Sequence, residues 1–231
     1  MACPCTIHGA GTYTLGDDLN PNPDGFTCLV VQSDSDNAVI NCDGHNITGP
    51  GDFGVVVYAN GVTLEGCNIH QYGKGIVTYG NNTIITNNRM TEGDIGIDLE
   101  SNGNRVTGNN ASHNGYPLVA GTGLIVGGSN NVIENNYFDS NWGGTGSYEG
   151  GIGIDIEGSS ASGNNFTNNE AIGNNYWGVY LGYLTHTDNR FTGNTATGNP
   201  HGDFKCNSAS AIDGDNICSD DQGCSSWLHS C

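Results

Sequence analysis

Basic residues are scarce in this sequence. Its 231 residues include Lys+Arg 5 against Asp+Glu 24, a formal charge of -19. Nucleic-acid binding needs a basic footprint, which five scattered cations do not supply. Polyanionic polysaccharides are poor partners for the same reason. No apolar run is long enough to span a membrane. No amphipathic helical period of useful length occurs either, which argues against a helical fold. Cysteine is missing between Cys67 and Cys206. The nine present are Cys3, Cys5, Cys28, Cys42, Cys67, Cys206, Cys218, Cys224 and Cys231. They crowd the two ends, as disulfide staples of a secreted or cell-surface protein do. The odd count leaves one thiol over, or one for a bond to another chain. The spacings "CPC" and "CSSWLHSC" match no zinc pattern. The start "MACPC" is not a signal peptide, so a natural signal is expected to have been removed or replaced.

What is abundant is asparagine, often in pairs, as in "NNVIENNYFDSN" at 130–141. Six segments share a frame. Gly54, Gly75, Gly96, Gly123, Gly153 and Gly178 each open an apolar piece such as "GVVVYA" or "GIDIE". A second apolar anchor follows: Leu64, Ile85, Val106, Ile133, Phe166 and Phe191. Two positions on stands Gly66, Asn87, Gly108, Asn135, Asn168 or Gly193. A place that takes Gly or Asn alone is one where the backbone needs positive φ, a corner between short strands. The next residue is Cys67, Asn88, Asn109, Asn136, Asn169 or Asn194. Turned inward, these Asn side chains would bond to the same position of the next coil, a structural ladder that satisfies buried amides.

The anchors are separated by 21, 21, 27, 33 and 25 residues, and a period in the twenties signals a solenoid. Pieces of three to five residues alternate inward and outward, as in Val55 in, Val56 out, Val57 in. These features resemble right-handed single-stranded parallel β-helix proteins, the pectin-lyase-like superfamily with generic β-helix repeats. Upstream, "GTYTLGDDL" and the turn Asp43, Gly44, His45, Asn46, Ile47 resemble that family's entry segment. The resemblance implies an all-β solenoid of about eight coils, roughly 40 Å long at the strand spacing. The expected layout is an N-terminal cap segment at 1–27, the β-helix at 28–206, and a Cys-rich C-terminal cap at 207–231.

In such a fold the interior is core, so chemistry must lie on outward columns or loops. One outward column reads Val56, Val77, Asp98, Ile125, Asp155, Tyr180 and, if the frame continues, Lys205. Asp98 and Asp155 stand two coils apart, roughly 9–10 Å, near the upper end for the carboxylates of an inverting glycosidase. Glu100 and Glu157 sit beside them. The alternative is a pair of solvated acidic strand ends. The polygalacturonase motifs of the superfamily do not occur in order. Its lyases use Arg or Lys as base with calcium, whereas Arg105 and Arg190 lie three coils apart with no acidic cluster beside them. A second column, Glu65, Thr86, Thr107, Glu134, Thr167, Thr192, makes a Thr-rich face.

The longer coils insert "HNGYPLVAGT" and "DSNWGGTGSYEGG" at one corner. They bring Tyr116, Trp142 and Tyr148 to one side, as aromatic anchors for a sugar or a protein. Acidic residues alternate in "DGDNICSDD", which makes Asp213, Asp215, Asp220 and Asp221 a candidate calcium site without EF-hand spacing. Sequons stand at Asn46, Asn81, Asn110 and Asn165, candidates for glycosylation. The sequence favours an extracellular or cell-surface structural β-helix, non-catalytic and requiring no cofactor. It would associate head to tail with copies of itself into a filament or surface layer, because its open ends must be capped or paired. The alternatives are a carbohydrate-active enzyme, hydrolase or lyase, using Asp98 and Asp155, and a carbohydrate-binding module using the aromatic loops on a neutral polysaccharide.

Overall fold

The computed structural model describes residues 3–20, 26–116, 119–143, 150–158, 161–182, 188–206, 211–212 and 215–222. The chain winds as an all-β, right-handed parallel β-helix of about seven turns. Eight coils were expected. The difference lies at the ends, where Ala211–Ile212 and Asp221–Gln222 are strands of two residues. Three parallel sheets run along the stack: one of ten strands, one of nine, and one of three that isolated bridges carry on from Asn110 through Tyr137, Glu170 and Thr195 to Ile217. The ten-stranded sheet contains the five-residue strands, including Lys74–Thr78, Ile95–Leu99, Thr122–Val126, Ile152–Ile156, Trp177–Leu181 and Gly202–Cys206.

Each sheet sends one or two residues per coil inward, and in-register pairing stacks like on like. Val55, Ile76, Ile97, Leu124, Ile154, Val179 and Phe204 form one such column, all nearly inaccessible. From the nine-stranded sheet Leu64, Ile85, Val106, Ile133, Phe166 and Phe191 form another, and the last two rings stack at 4.5 Å. The third sheet contributes Ile69, Met90, Ala111, Phe138, Ala171 and Ala196.

The glycine that stands second in six of the long strands has a steric cause. A methyl group on Gly96 would lie 2.5 Å from the Ala111 side chain and 2.7 Å from the Gly123 carbonyl oxygen. Gly54, Gly75, Gly123, Gly153 and Gly178 meet the same two neighbours, the inward residue of the third sheet and the backbone of the next coil. Any side chain there would push two sheets apart. The corner after the second anchor is left-handed throughout, with φ between 53° at Asn168 and 67° at Gly66.

Beyond that corner the inward Asn side chains join the coils. Asn109 Oδ1 accepts from Asn88 N–H at 2.9 Å and from Asn88 Nδ2 at 3.1 Å. Asn136, Asn169, Asn194 and Asn216 repeat the pattern down the stack. At the top Cys67 N–H donates to Asn88 Oδ1, and Cys67 is disulfide-bonded to Cys42 of the preceding coil. Two more ladders occupy the other corners: Thr83–Asn104–Asn131–Asn164–Asn189 and Gly93–Asn114–Asn141–Asn174–Asn199. The three are spaced five residues apart within a coil, as in Asn104, Asn109 and Asn114. That regular spacing is visible in the sequence, where the corner frame contains only the middle member.

The ends are tied differently. Cys3 pairs with Cys28, and Cys206 and Cys218 are both in disulfides. Asp203 closes the third ladder by accepting from Asn199 Nδ2 at 2.9 Å, and its other oxygen takes Ser219 N–H and Oγ at 2.7 Å each. Burial pushes the Asp203 carboxyl up, but the bonds donated by Ser219 and Asn199 outweigh it and hold it below the ordinary range.

Asn109→Leu and Asn136→Leu should each destabilise the stack by about 1–3 kcal/mol for every buried backbone or amide group left without its partner. The exposed Asn81→Ala, which removes a bond to Asn102 N–H at the rim, should cost less. Chemical denaturation of the three variants checks the order, and unchanged midpoints for both core variants would contradict it.

Candidate functional site

The outer face of the ten-stranded sheet carries the charged and aromatic residues. In-register pairing runs Val56, Val77, Asp98, Ile125, Asp155, Tyr180 and Lys205 down one outward column. These residues point away from the core, yet several are not solvated: Asp98 is 1% exposed and Asp155 6%. The two acids are therefore not loose strand ends. A neighbouring column, at the strand exits, places Glu100, Gly127 and Glu157 on successive coils, between exposed Tyr79 and Gly182.

A cleft of about 800 Å³ lies on this face, lined among others by Asp94, Asp155, Glu157, Trp177, Tyr180 and Lys205. Its aromatic part is built by glycines. Gly202 sits where any side chain would strike the Trp177 ring, 2.3 Å from Cζ3, and Gly182 leaves room for the Tyr180 ring, 2.8 Å away. The Trp177 and Tyr180 rings lie 6.3 Å apart at 25°, and Tyr176 meets Trp177 edge-on at 5.6 Å. Lys205 Nζ stands 5.8 Å from the Trp177 ring centre, within cation–π range.

The acids beside the cleft differ in environment. Asp98 Oδ2 accepts from Lys74 Nζ at 2.5 Å. Burial lowers the Lys74 ammonium, but the Asp98 bond and charge, with Glu100, more than offset it, so Lys74 stays protonated beyond its ordinary range. Glu100 is pushed up by burial and then by Asp98, with Lys74 opposing and Glu157 adding to the rise. Glu100 leans over the gap at Gly127, where a methyl group would lie 3.2 Å from its Oε2. Asp94 is raised by burial. Asp98, Glu100, Asp155 and Glu157 thus share one face.

The first inserted loop borders this cleft. Tyr116 and Val119 bridge each other backbone to backbone, and Val119 and Ala120 line the cleft. Tyr116 donates its hydroxyl to the Glu92 carbonyl. Trp142 is 53% exposed and Tyr116 40%, and neither is in the cleft lining. Tyr148 lies outside the described residues, as do Asp213, Cys224 and Cys231. Among the described residues no group of three or more His, Cys, Asp or Glu is placed to hold a metal ion. Of the acidic tail, Asp220 offers its carbonyl to Asp203 and Phe204 N–H, Asp221 starts a short strand, and Asp215 is exposed.

On the other sheets, Arg105 is paired with Glu134, and Arg190 stands three coils along the same column. The Thr-rich column runs in register on this nine-stranded sheet, with Glu65 and Glu134 among its threonines. Among the sequons, Asn81 and Asn165 are exposed, Asn110 is half-buried, and Asn46 donates its amide to Asp18. Sequence reasoning missed Trp177, Asp94 and the room made by Gly202. Nothing in the repeat frame marks a residue as walling a cleft.

Residues 27–217 match the family described as the right handed beta helix region, and the chain belongs to that family. No curated protein matches the sequence. Among solved structures, an alginate lyase from Paenibacillus sp. str. FPU-7 superposes with a TM-score of 0.65 at 18% identity, covering 96% of this chain and 85% of the lyase. Pectate lyase Pel9A gives 0.61 at 15%, with 97% of this chain and 69% of the lyase covered. The Dettilon tailspike protein gives 0.61 at 15%, and the chain spans about half of it, 54%. At these identities the likeness is one of fold.

Gly202→Ala should force the Trp177 ring out of its seat and cost about 1–3 kcal/mol by overpacking, beyond the strain of placing alanine at φ +144. A shift in tryptophan emission together with a lowered denaturation midpoint is expected. A native-like emission spectrum would show that the ring does not rest on this glycine.

Proposed function

We propose that this right-handed β-helix protein is an extracellular carbohydrate-active enzyme that binds a polysaccharide on the outer face of its ten-stranded sheet and hydrolyses it there. The sequence alone favoured a non-catalytic structural role. The observation that carries the present reading is the cleft in which Asp155 and Glu157 face Trp177 and Tyr180. Aromatic rings beside carboxylates supply stacking and acid–base chemistry together. Glycoside hydrolysis needs two carboxyl groups in different protonation states. Glu100, raised by burial and by its acidic neighbours, suits the proton donor to the leaving oxygen, and Asp155 suits the base that activates water. Glu100 is in register with Glu157, so Asp155 lies two coils and a dipeptide from it, about 12 Å between backbones at the strand spacing and rise. The lean of Glu100 over Gly127 brings its carboxyl toward the roughly 6.5–9.5 Å that leaves space for a water molecule. Inversion at the anomeric carbon follows. A lyase route through Lys74 is disfavoured, since an ammonium held protonated by Asp98 is a poor base. Disulfides at both ends of the described chain support an oxidising, extracellular setting.

Reducing-end release from a panel of polysaccharides tests this reading. Asp155→Asn and Glu100→Gln should each lower kcat by at least about a hundredfold, and nuclear magnetic resonance of the first product should show the inverted anomer. The high-pH limb of the rate profile should follow Glu100, with activity falling as pH rises through its raised pKa. Products carrying unsaturated ends would indicate elimination instead, and intact rates in both variants would remove both residues from the chemistry.

A second reading, self-association, draws on the strand edges at the top of the stack. Thr12–Thr14 is the outermost strand of the nine-stranded sheet, and an edge strand is a template for pairing with another chain. Light scattering across a salt series should show larger species as screening weakens repulsion between subunits of charge -19. A single monomeric species throughout would exclude end-to-end assembly.

A further inference from the structure

The five basic residues are not spread evenly over the sheets. Arg105 and Arg190 lie on the nine-stranded sheet and Arg89 on the three-stranded one. Lys74 and Lys205 alone belong to the ten-stranded sheet that carries the cleft. Lys74 is paired with Asp98, and Lys205 stands near the Trp177 ring. Against Lys205 the cleft lining sets Asp94, Asp155 and Glu157, with Glu100 one coil-pair away along the Glu157 column. Asp94 is half-buried, so its charge is less screened than a surface charge.

A polyuronate would bring a carboxylate on every sugar against this lining, and like charges set against each other across an interface oppose binding. A glycan with protonated amines would meet the opposite. Each ammonium could pair with Asp94 or Glu157, while the apolar face of the ring lies against Trp177 or Tyr180. Resting on the glycan-binding reading of this cleft, we infer that its substrate class is a polysaccharide bearing free amino groups, a polyhexosamine, rather than the uronate polymers named for the lyases of similar fold. The carboxylates then serve recognition as well as chemistry: Asp94, on the loop side, selects the amine, and Asp155 remains with the reaction.

The test is calorimetric titration of the full chain with three oligosaccharides of equal length: β-linked glucosamine with free amines, its fully N-acetylated form, and oligogalacturonate. The free-amine oligomer should bind tightest, weaken with added salt, and lose on the order of tenfold in affinity with Asp94→Asn, the loss of one charge-assisted contact. The acetylated form should be insensitive to that variant. Equal binding of the acetylated and free-amine forms, each sensitive to Gly202→Ala, would overturn the amine preference and leave the cleft as a glycan site. Preferential binding of oligogalacturonate would overturn it as well. Binding of none of the three would remove both the preference and the glycan reading.

Discussion

The side-chain amide that repeats at one level of every coil is the contact on which this molecule depends. A corner of a β-helix turns its backbone N–H groups toward neighbouring coils at a place where no sheet ladder can satisfy them. Asn solves this because one side chain both accepts and donates. Asn136 Oδ1 takes two bonds from Asn109, while Asn136 Nδ2 donates to Asn169 Oδ1 and to the Val106 carbonyl. The column is fully buried and nearly fully paired, which is the condition under which a buried polar network stabilises rather than weakens a core. Three such columns at three corners hold the sheets in register, so the apolar columns between them need only be similar in size from coil to coil.

A stack built this way has ends, and the ends need other chemistry. At the top a Cys takes the ladder position and bonds covalently to the coil above. At the bottom Asp203 takes the role of the last acceptor and is itself held by Ser219. A carboxylate suits that place because it needs no acceptor beyond it. Along the middle, where neither device is required, coils differ in length: extra residues leave at the corner after the third ladder, where Val119 and Ala120 reach the cleft, and at the strand-exit corner between Ile156 and Asn164 and between Leu181 and Asn189.

The same architecture sets the character of the outer face. Parallel strands at fixed spacing bring Asp98 and Asp155, and Glu100 and Glu157, into adjacent columns one dipeptide apart. Their spacing is dictated by the backbone, and the raised carboxyl of Glu100 by burial and its acidic neighbours. The rigid scaffold below allows little relaxation, so carboxyl groups with unlike environments keep them. Under the proposed function, such a separation is what acid–base chemistry on a glycan requires.

The repeat frame by itself determined the fold. Gly or Asn at the left-handed corner, an Asn after it and an apolar anchor before it are imposed by backbone geometry that recurs every coil, so one chain carries six readings of the same constraint. The outward column from Val56 to Lys205 was legible for the same reason, since alternation along a strand follows from the pleat. Burial of Asp98 and Asp155 was not legible, because it depends on which side chains of neighbouring coils lie against them, as Lys74 lies against Asp98. Nor was the seat of Trp177 on Gly202, two residues a coil apart that meet only when strands pair in register. The tertiary structure decided these points because a cleft is bounded by residues from several coils, whereas the repeat records what each coil shares with the next.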